Sequence, residues 1–358
     1  MRRAVCVFVD LGMISSVTHA PHILFLADAG PVVGGGHVMR CLTLAGALSD
    51  LGAECRFMAP PPVAQILQAF GRDTIGQIGC APDALVLWAC SQPSDIIVVD
   101  HYGLGATEEA KLGQGRRLVV LEDMPGRRHA CDLLLDAGLG RNVQDYSGLV
   151  PEAAVVLTGP QYALVRPEFA RLRRETLERR RLGDVHGPIL VALGLSDLFG
   201  LTAKVVEVLL DLNMPNPIWA VVGAAAASLP RLKALASQHA QISIAVETRD
   251  MAALISQADL AIGAGGSSTW ERACLGLPSL TLILADNQAD LARGLEREGA
   301  SLTLDTRSPG FGSALAEAVL GLVGHDQALQ ALSLKARALC DGRGSGRVAA
   351  AVLDLCKA

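Results

Sequence analysis

Gly34-Gly35-Gly36-His37 stands between an apolar run, His22-Ile23-Leu24-Phe25-Leu26-Ala27-Asp28, and an amphipathic stretch from about His37 to Leu51. The run reads as a strand, the stretch as a helix and the glycines as the turn that joins them, the first unit of an α/β fold. Glycines let backbone approach a ligand closely, and a helix start offers unpaired N–H groups to an anion. A histidine at that junction lies at the positive end of the helix dipole, which disfavours imidazolium and favours a proton-accepting ring. An anion cradle and a candidate general base, His37, therefore share one turn. Two other readings compete. A dinucleotide fingerprint needs G-x-G-x-x-G; Gly34 and Gly36 fit, but Met39 stands in the third position. A tight turn with a capping histidine is the purely structural alternative.

Outward from this turn, short apolar runs alternate with amphipathic helical patterns, the signature of a parallel α/β sheet. Strands are predicted at Ile23–Ala27, Glu54–Met58, Ile96–Asp100, Arg117–Glu122, Leu133–Asp136 and Val155–Thr158. A second series follows at Ile189–Leu193, Ile218–Val222, Ile242–Val246, Leu260–Gly263 and Ser279–Ile283. Between them lies a charged helical pattern, Glu168–Val185. The organisation expected is an N-terminal extension (1–21), a first domain (22–170), a second domain (186–340) and a C-terminal helix (341–358), with the boundary inside 166–188. Beyond about Gly310 two or three helices are expected, one of them packing back across both domains. Two Rossmann-like parallel-sheet domains facing an interdomain cleft make the architecture of the GT-B glycosyltransferases and their relatives.

A chain of 358 residues exceeds one typical core, which agrees with two domains. Its 51% hydrophobic and 19% charged residues mark a well-buried globular protein. A net charge of -5 gives no reason to expect a nucleic-acid surface. The basic cluster Arg171–Arg181 is interrupted by Glu175 and Glu178, and at helical spacing it reads as a solvated helix face. Nine scattered cysteines, odd in number and without a C-x-x-C pair, read as reduced thiols of a cytoplasmic protein rather than disulfides or a zinc site. Met1–Val9 has the outline of a signal peptide ending near Ala20, but Asp10 breaks its apolar core and Pro21 would follow the cut. Met13 is an alternative start. No apolar segment reaches the ~20 residues of a membrane span, and a monomer without membrane or nucleic-acid partners is expected.

The second series has its own turn, Gly263-Ala264-Gly265-Gly266-Ser267-Ser268-Thr269-Trp270-Glu271. Small residues expose N–H groups, three hydroxyls join them, and the helix start favours a diphosphate. Glu271 is placed to cap the helix or to accept a ribose hydroxyl; the structural alternative is an ordinary capping box, Ser268-x-x-Glu271. Asp286 reads as a cap, while Asn287 and Gln288 can hydrogen-bond sugar hydroxyls or an acetamido group. Asp100-His101-Tyr102-Gly103 offers an acid, an imidazole and a phenol at one strand end. Gly194-Leu195-Ser196-Asp197 ends another strand, with a turn and an aspartate cap as its bland reading.

Together these residues become recognisable. Ala27-Asp28-Ala29 with Gly34–Ala45 (GGGHVMRCLTLA) resembles the start of the UDP-sugar hydrolases of pseudaminic acid biosynthesis, which act on UDP-2,4-diacetamido-2,4,6-trideoxy-β-L-altropyranose. The resemblance continues through Asp100–Gly103, Gly159–Phe169, Gly265–Glu271 and Ala285–Gln288, and spans about residues 22–340. It implies a GT-B fold and a hydrolysis without metal or cofactor, in which water attacks the anomeric carbon with inversion and expels UDP. It implies that His37 is the base activating that water, that Tyr102 and Asn287 line the sugar site, and that Gly265, Gly266, Ser267, Ser268, Thr269 and Glu271 hold the UDP moiety. Asp28, Gly34, Gly35, Gly36, Asp197 and Gln288 complete the expected substrate-binding set.

Two positions depart from the family pattern. Leu26-Ala27-Asp28 stands where Arg-x-Asp is usual, and Gly194-Leu195-Ser196-Asp197 where Gly-Gly-x-Asp is usual. The first removes a diphosphate or sugar contact, and the second puts a bulky side chain on the nucleotide side. Both bear on which sugar fits more than on the reaction class. A GT-B glycosyltransferase, with an acceptor in place of water, is the enzymatic rival; a sugar-nucleotide-binding protein without turnover is the non-enzymatic one.

Overall fold

The computed structural model describes residues 19–30, 33–181, 187–197 and 199–357. The leader-like stretch and the choice between Met1 and Met13 lie outside these residues. The first sheet comprises β1 (His22–Ala27), β2 (Glu54–Ala59), β3 (Gly76–Gly79), β4 (Ile96–Asp100), β5 (Arg117–Leu121), β6 (Leu133–Asp136) and β7 (Val155–Thr158). The second comprises β8 (Ile189–Ala192), β9 (Ile218–Val222), β10 (Ile242–Val246), β11 (Leu260–Ala264), β12 (Ser279–Ile283) and β13 (Leu302–Asp305). All pairings are parallel, in the orders β3-β2-β1-β4-β5-β6-β7 and β10-β9-β8-β11-β12-β13.

The helices are α1 (Gly36–Ser49), α2 (Pro61–Phe70), α3 (Leu85–Ser91), α4 (Ala106–Leu112), α5 (Pro167–Arg181), α6 (Leu201–Asp211) and α7 (Leu229–Gln238). They continue with α8 (Met251–Gln257), α9 (Ser268–Cys274), α10 (Ala289–Arg297), α11 (Phe311–Leu320), α12 (Asp326–Leu339) and α13 (Gly344–Asp354). Among the described residues no helix is long and apolar enough to cross a membrane.

Helices cover both faces of each sheet, so the central strands are apolar throughout rather than alternating. Every residue of β4 is buried. Ile23 and Phe25 pack under α1 and α13 with Leu44, Val348 and Val352, while Leu24, Leu26 and Val99 face α3 and α4 on the other side. The edge strands β3 and β13 fall outside the sequence prediction. An edge strand has one strand neighbour, so Gly76-Gln77-Ile78-Gly79 and Leu302-Thr303-Leu304-Asp305 need no continuous apolar run.

The charged helix α5 corrects the expectation of a solvated face. Arg174, Glu175, Glu178 and Arg181 are exposed, but Arg173, Arg179 and Arg180 turn inward. Arg173 donates to the carbonyls of Cys274, Cys340 and Arg337. Arg179 and Arg180 donate to those of Ile255, Ser256, Ala258 and Leu275. All seven acceptors lie at or just beyond the C-terminal ends of α8, α9 and α12, where the last carbonyls of a helix have no internal partner. The arginines satisfy them.

After α12 the chain returns to the first sheet. Ser345 Oγ donates to the carbonyl of Val165 at 2.7 Å. Gly344 sits so close to Ala163 that a Cβ there would lie 2.2 Å from its carbonyl oxygen. Only glycine allows that approach. It seats α13 against α1, and α1 consequently buries most of its circumference.

Candidate active site

Strand order reverses between β1 and β4 in the first sheet and between β8 and β11 in the second. Open α/β sheets bind ligands outside the carboxyl ends of the strands at such switch points. The four motifs read from the sequence follow these four strands: Gly34–His37 after β1, Asp100–Gly103 at β4, Gly194–Asp197 after β8 and Gly265–Glu271 after β11. Topology therefore brings them together in two pairs, one at each sheet's switch point.

His37 is 7% exposed, in the first turn of α1. Its Nδ1 lies 2.5 Å from Oδ1 of Asp100, which is wholly buried. Arg40, one turn along α1, grips the same carboxylate with Nε at 2.5 Å and Nη2 at 2.6 Å. Burial alone would raise the Asp100 carboxyl; Arg40 and His37 outweigh it and hold it well below the usual range. Burial likewise disfavours charge on Arg40, yet Asp100 keeps the guanidinium well above its ordinary value. An ionised carboxylate can only accept, so Nδ1 of His37 carries the proton. Nε2 is left as the accepting nitrogen. It has no hydrogen-bond partner among the described residues and is not sealed from solvent.

Tyr102 meets the His37 ring edge-on, with centroids 4.6 Å apart. Its hydroxyl donates to Asp123 at 2.9 Å and accepts from Asn287 Nδ2 of the second sheet at 3.3 Å. Arg40 also reaches Asp123, at 3.3 Å. Burial and the Asp123 carboxylate push the Tyr102 phenol up. Asp28, at the end of β1, stands 3.7 Å from Nδ1 of His101, which in turn accepts from the Gly103 N–H.

The glycine turns face each other across the cleft. Gly34 takes a left-handed φ of 78° and exchanges two backbone bonds with Gly30, a conformation that favours glycine. A Cβ at Gly36 would stand 3.9 Å from Ser267 Oγ, and one at Gly34 3.7 Å from Ser196 Oγ. The Leu195 side chain reaches the first domain, its Cδ1 standing 3.3 Å from where a Cβ on Gly35 would lie.

In the second turn the capping box does not form. Ser267 occupies the cap without a side-chain bond. Glu271 instead accepts from Nε of Arg166 at 3.0 Å and pairs with its Nη2 at 3.0 Å. Burial raises the Glu271 carboxyl against the pull of Arg166. Arg272 runs beneath the turn to the Ala264 carbonyl and to the hydroxyls of Ser268 and Thr269. The N–H groups of Gly266, Ser267 and Ser268 are left without partners among the described residues. Gln288 packs on Gly265 and accepts from the Leu284 N–H at 3.1 Å. Asp286 pairs with Arg307 rather than capping a helix. Asp197, at φ 35°, caps α6 through the N–H groups of Leu201 and Thr202. Its bland reading describes its geometry, and the neighbouring Ser196 is the residue that faces the cleft.

No protein-family model matches the chain. It is 24% identical over 286 residues, 77% of its own length and 97% of the relative's, to the UDP-2,4-diacetamido-2,4,6-trideoxy-beta-L-altropyranose hydrolase of Campylobacter jejuni. It is 26% identical over 350 residues, 93% of its length and 98% of the relative's, to the spore coat polysaccharide biosynthesis protein SpsG of Bacillus subtilis. Among solved structures it resembles MurG of Acinetobacter baumannii with TM-score 0.63 and 17% identity, over 93% of this chain and 99% of that one. The spinosyn rhamnosyltransferase SpnG, complexed with spinosyn aglycone, aligns with TM-score 0.60 and 17% identity, over 93% and 99% of the two chains. The chain has the GT-B fold.

Four residues of the site, Arg40, Asp123, Arg166 and Arg272, escaped the sequence reading. Arg40 looked like one more polar position on α1. Asp123 follows a predicted strand with no motif around it, and Arg166 fell in the approach to a helix. Asp100 was visible as a strand-end acid, but nothing in the sequence tied it to His37, 63 positions away.

Proposed function

We propose that this chain hydrolyses a UDP-sugar by direct attack of water on the anomeric carbon, with UDP-2,4-diacetamido-2,4,6-trideoxy-β-L-altropyranose as the substrate. The observation that carries this reading is the buried His37–Asp100–Arg40 set at the switch point, across the cleft from the serine-rich turn. The hydrolase of Campylobacter jejuni carries that substrate in its name. In this reading His37 Nε2 takes a proton as water forms the new C1–O bond, and the old C1–O bond breaks with its electron pair leaving on UDP. The ring becomes imidazolium beside the Asp100 carboxylate, which stabilises the developing charge. Arg40 keeps that carboxylate ionised and in line.

UDP has good leaving ability, so what the second domain must supply is hold and charge compensation. The N–H groups of Gly266, Ser267 and Ser268, with Arg272 beneath them, suit the diphosphate, and Glu271, braced by Arg166, suits a ribose hydroxyl. Tyr102 and Asn287 join across the cleft beside His37 and suit the sugar. Proton NMR of the reaction tests the whole reading. Free UDP and free sugar are expected without any acceptor, with the sugar first appearing in the inverted anomeric configuration. A retained anomer rejects direct attack by water. A requirement for an acceptor favours transfer instead.

A further inference from the structure

Behind the cleft, on the far side of Asp123 and Tyr102, lies a second cluster of charge that the proposed chemistry does not use. Its centre is His129, whose side chain is fully enclosed. Nδ1 lies 2.8 Å from Oε1 of Glu109 on α4, and Nε2 lies 3.0 Å from Oε2 of Glu122, just after β5. The Nε2 contact is an ion pair that does not meet hydrogen-bond geometry. Both carboxylates are themselves enclosed. A ring nitrogen bearing a lone pair at 3.0 Å from a carboxylate oxygen would be repelled, so both nitrogens carry protons. Glu109 also accepts from the Ala130 N–H at 2.8 Å.

The cluster reaches the cleft by two routes. Glu122 Oε1 accepts from the backbone N–H groups of Asp123 and Met124, which fixes the segment presenting the Asp123 carboxylate. Glu122 Oε2 also pairs with Arg127 Nε at 2.7 Å, and Arg127 Nη1 clamps the carbonyls of Tyr102 and Leu104 at 2.9 and 2.8 Å. Tyr102 and Asp123, joined to each other by a hydrogen bond, are thus both hung from one buried carboxylate.

We propose that His129 is a positioning residue for this cleft: an imidazolium that neutralises Glu109 and Glu122 and so holds Tyr102 and Asp123 beside His37. The proposal rests on the hydrolytic reading for its activity readout but not for its structural one. Two buried carboxylates facing one guanidinium would leave an uncompensated charge in the domain, and a buried group deprived of its partner is strongly destabilising. The charged groups facing the ring are Glu109 from α4 and Glu122 and Arg127 from the segment after β5. The nearby Cys131 stays a thiol, its value pushed up to about 12 mainly by burial. Burial works against the imidazolium, but the two glutamates prevail and raise His129 to about 9. The pair of carboxylates should therefore lose its bridge above about pH 9, whatever the catalytic base does.

Two measurements test this. In protein labelled with nitrogen-15 histidine, both His129 nitrogens should show imidazolium shifts at pH 7 and titrate near pH 9; a neutral ring at pH 7 overturns the proposal whether or not the chain hydrolyses anything. In kinetics, His129→Gln should lower kcat by up to about a hundredfold while UDP affinity stays within roughly twofold, because the nucleotide turn lies on the other sheet. Adding Glu109→Gln to that variant removes the excess negative charge and should restore most of the loss. Tyr102→Phe should cost far less in the His129→Gln background than in the wild type. Wild-type kcat in His129→Gln, or additive losses with Tyr102→Phe, rejects the positioning role. If no UDP-sugar is hydrolysed at all, the same cycle is read in UDP-sugar affinity, where additivity again rejects it.

Discussion

Gly34–His37 and Gly265–Glu271 both join a buried parallel strand to a helix, and both leave three successive backbone N–H groups without partners among the described residues. They differ in where their charges go. Around the first turn the carboxylates of Asp28, Asp100 and Asp123 outnumber the single guanidinium of Arg40. Around the second, Arg166 and Arg272 balance Glu271 and Glu168. A diphosphate is repelled by the first set but not by the balanced second, while a ring that must gain a proton is helped by the first. Similar backbone, different electrostatics: on the proposed reading, one turn performs the chemistry and the other holds the nucleotide.

His37→Ala should separate the two turns most sharply. Turnover of the UDP-sugar is expected to fall by ~10²–10⁴-fold, the usual worth of a general base, with UDP binding by calorimetry little changed. Asp100→Asn comes next. It removes the carboxylate that fixes the His37 tautomer and leaves the part-buried Arg40 only its 3.3 Å contact with Asp123, so activity should fall by ~10²-fold or more and urea unfolding should show a loss of up to about 3 kcal/mol. If stability holds while activity falls, the Arg40 charge has found another partner and the electrostatic contrast is weaker than drawn.

Acid should weaken the first turn before the second. Asp100 is held below its ordinary value of 3.8, so its contribution to stability is complete above that value and is lost as pH falls toward its own lower one. Glu122, held at about 2, behaves in the same direction, its contribution declining below 4.5. Melting temperature followed from pH 6 downward should drop in this window, less steeply in Asp100→Asn. Glu271→Gln tests the other side. UDP affinity should weaken by about tenfold, the range of a hydrogen bond to a charged group, with kcat at saturation unchanged. The smallest effect is expected from Asn287→Ala, which removes one cross-cleft hydrogen bond of 3.3 Å and should raise KM about fivefold.

Much of this molecule was legible from residue patterns. All eleven predicted strands, β1, β2 and β4 to β12, fall within a residue of their predicted limits because buried parallel strands are continuous apolar runs. The glycine turns announced themselves by composition. The edge strands β3 and β13 did not, having little apolar surface to bury. The arginines of α5 misled for a different reason: a basic run at helical spacing looks the same whether its guanidinium groups meet water or the carbonyl ends of other helices. In the site, Ser268-x-x-Glu271 fits a capping box as sequence, yet Glu271 turns to Arg166, 105 positions earlier.

The sequence by itself determined the alternation of strand and helix, the two glycine-rich turns and the presence of His37 at a helix start. Those follow from local backbone freedom and from the periodicity of burial, which neighbouring residues decide among themselves. Only the tertiary structure decided that Asp100 would orient His37, that Arg40 would neutralise Asp100, and that Asn287 would meet Tyr102 across the cleft. Such pairings depend on which strands the topology makes neighbours at the switch point, and on charges that become strong partners only once water has been excluded between them.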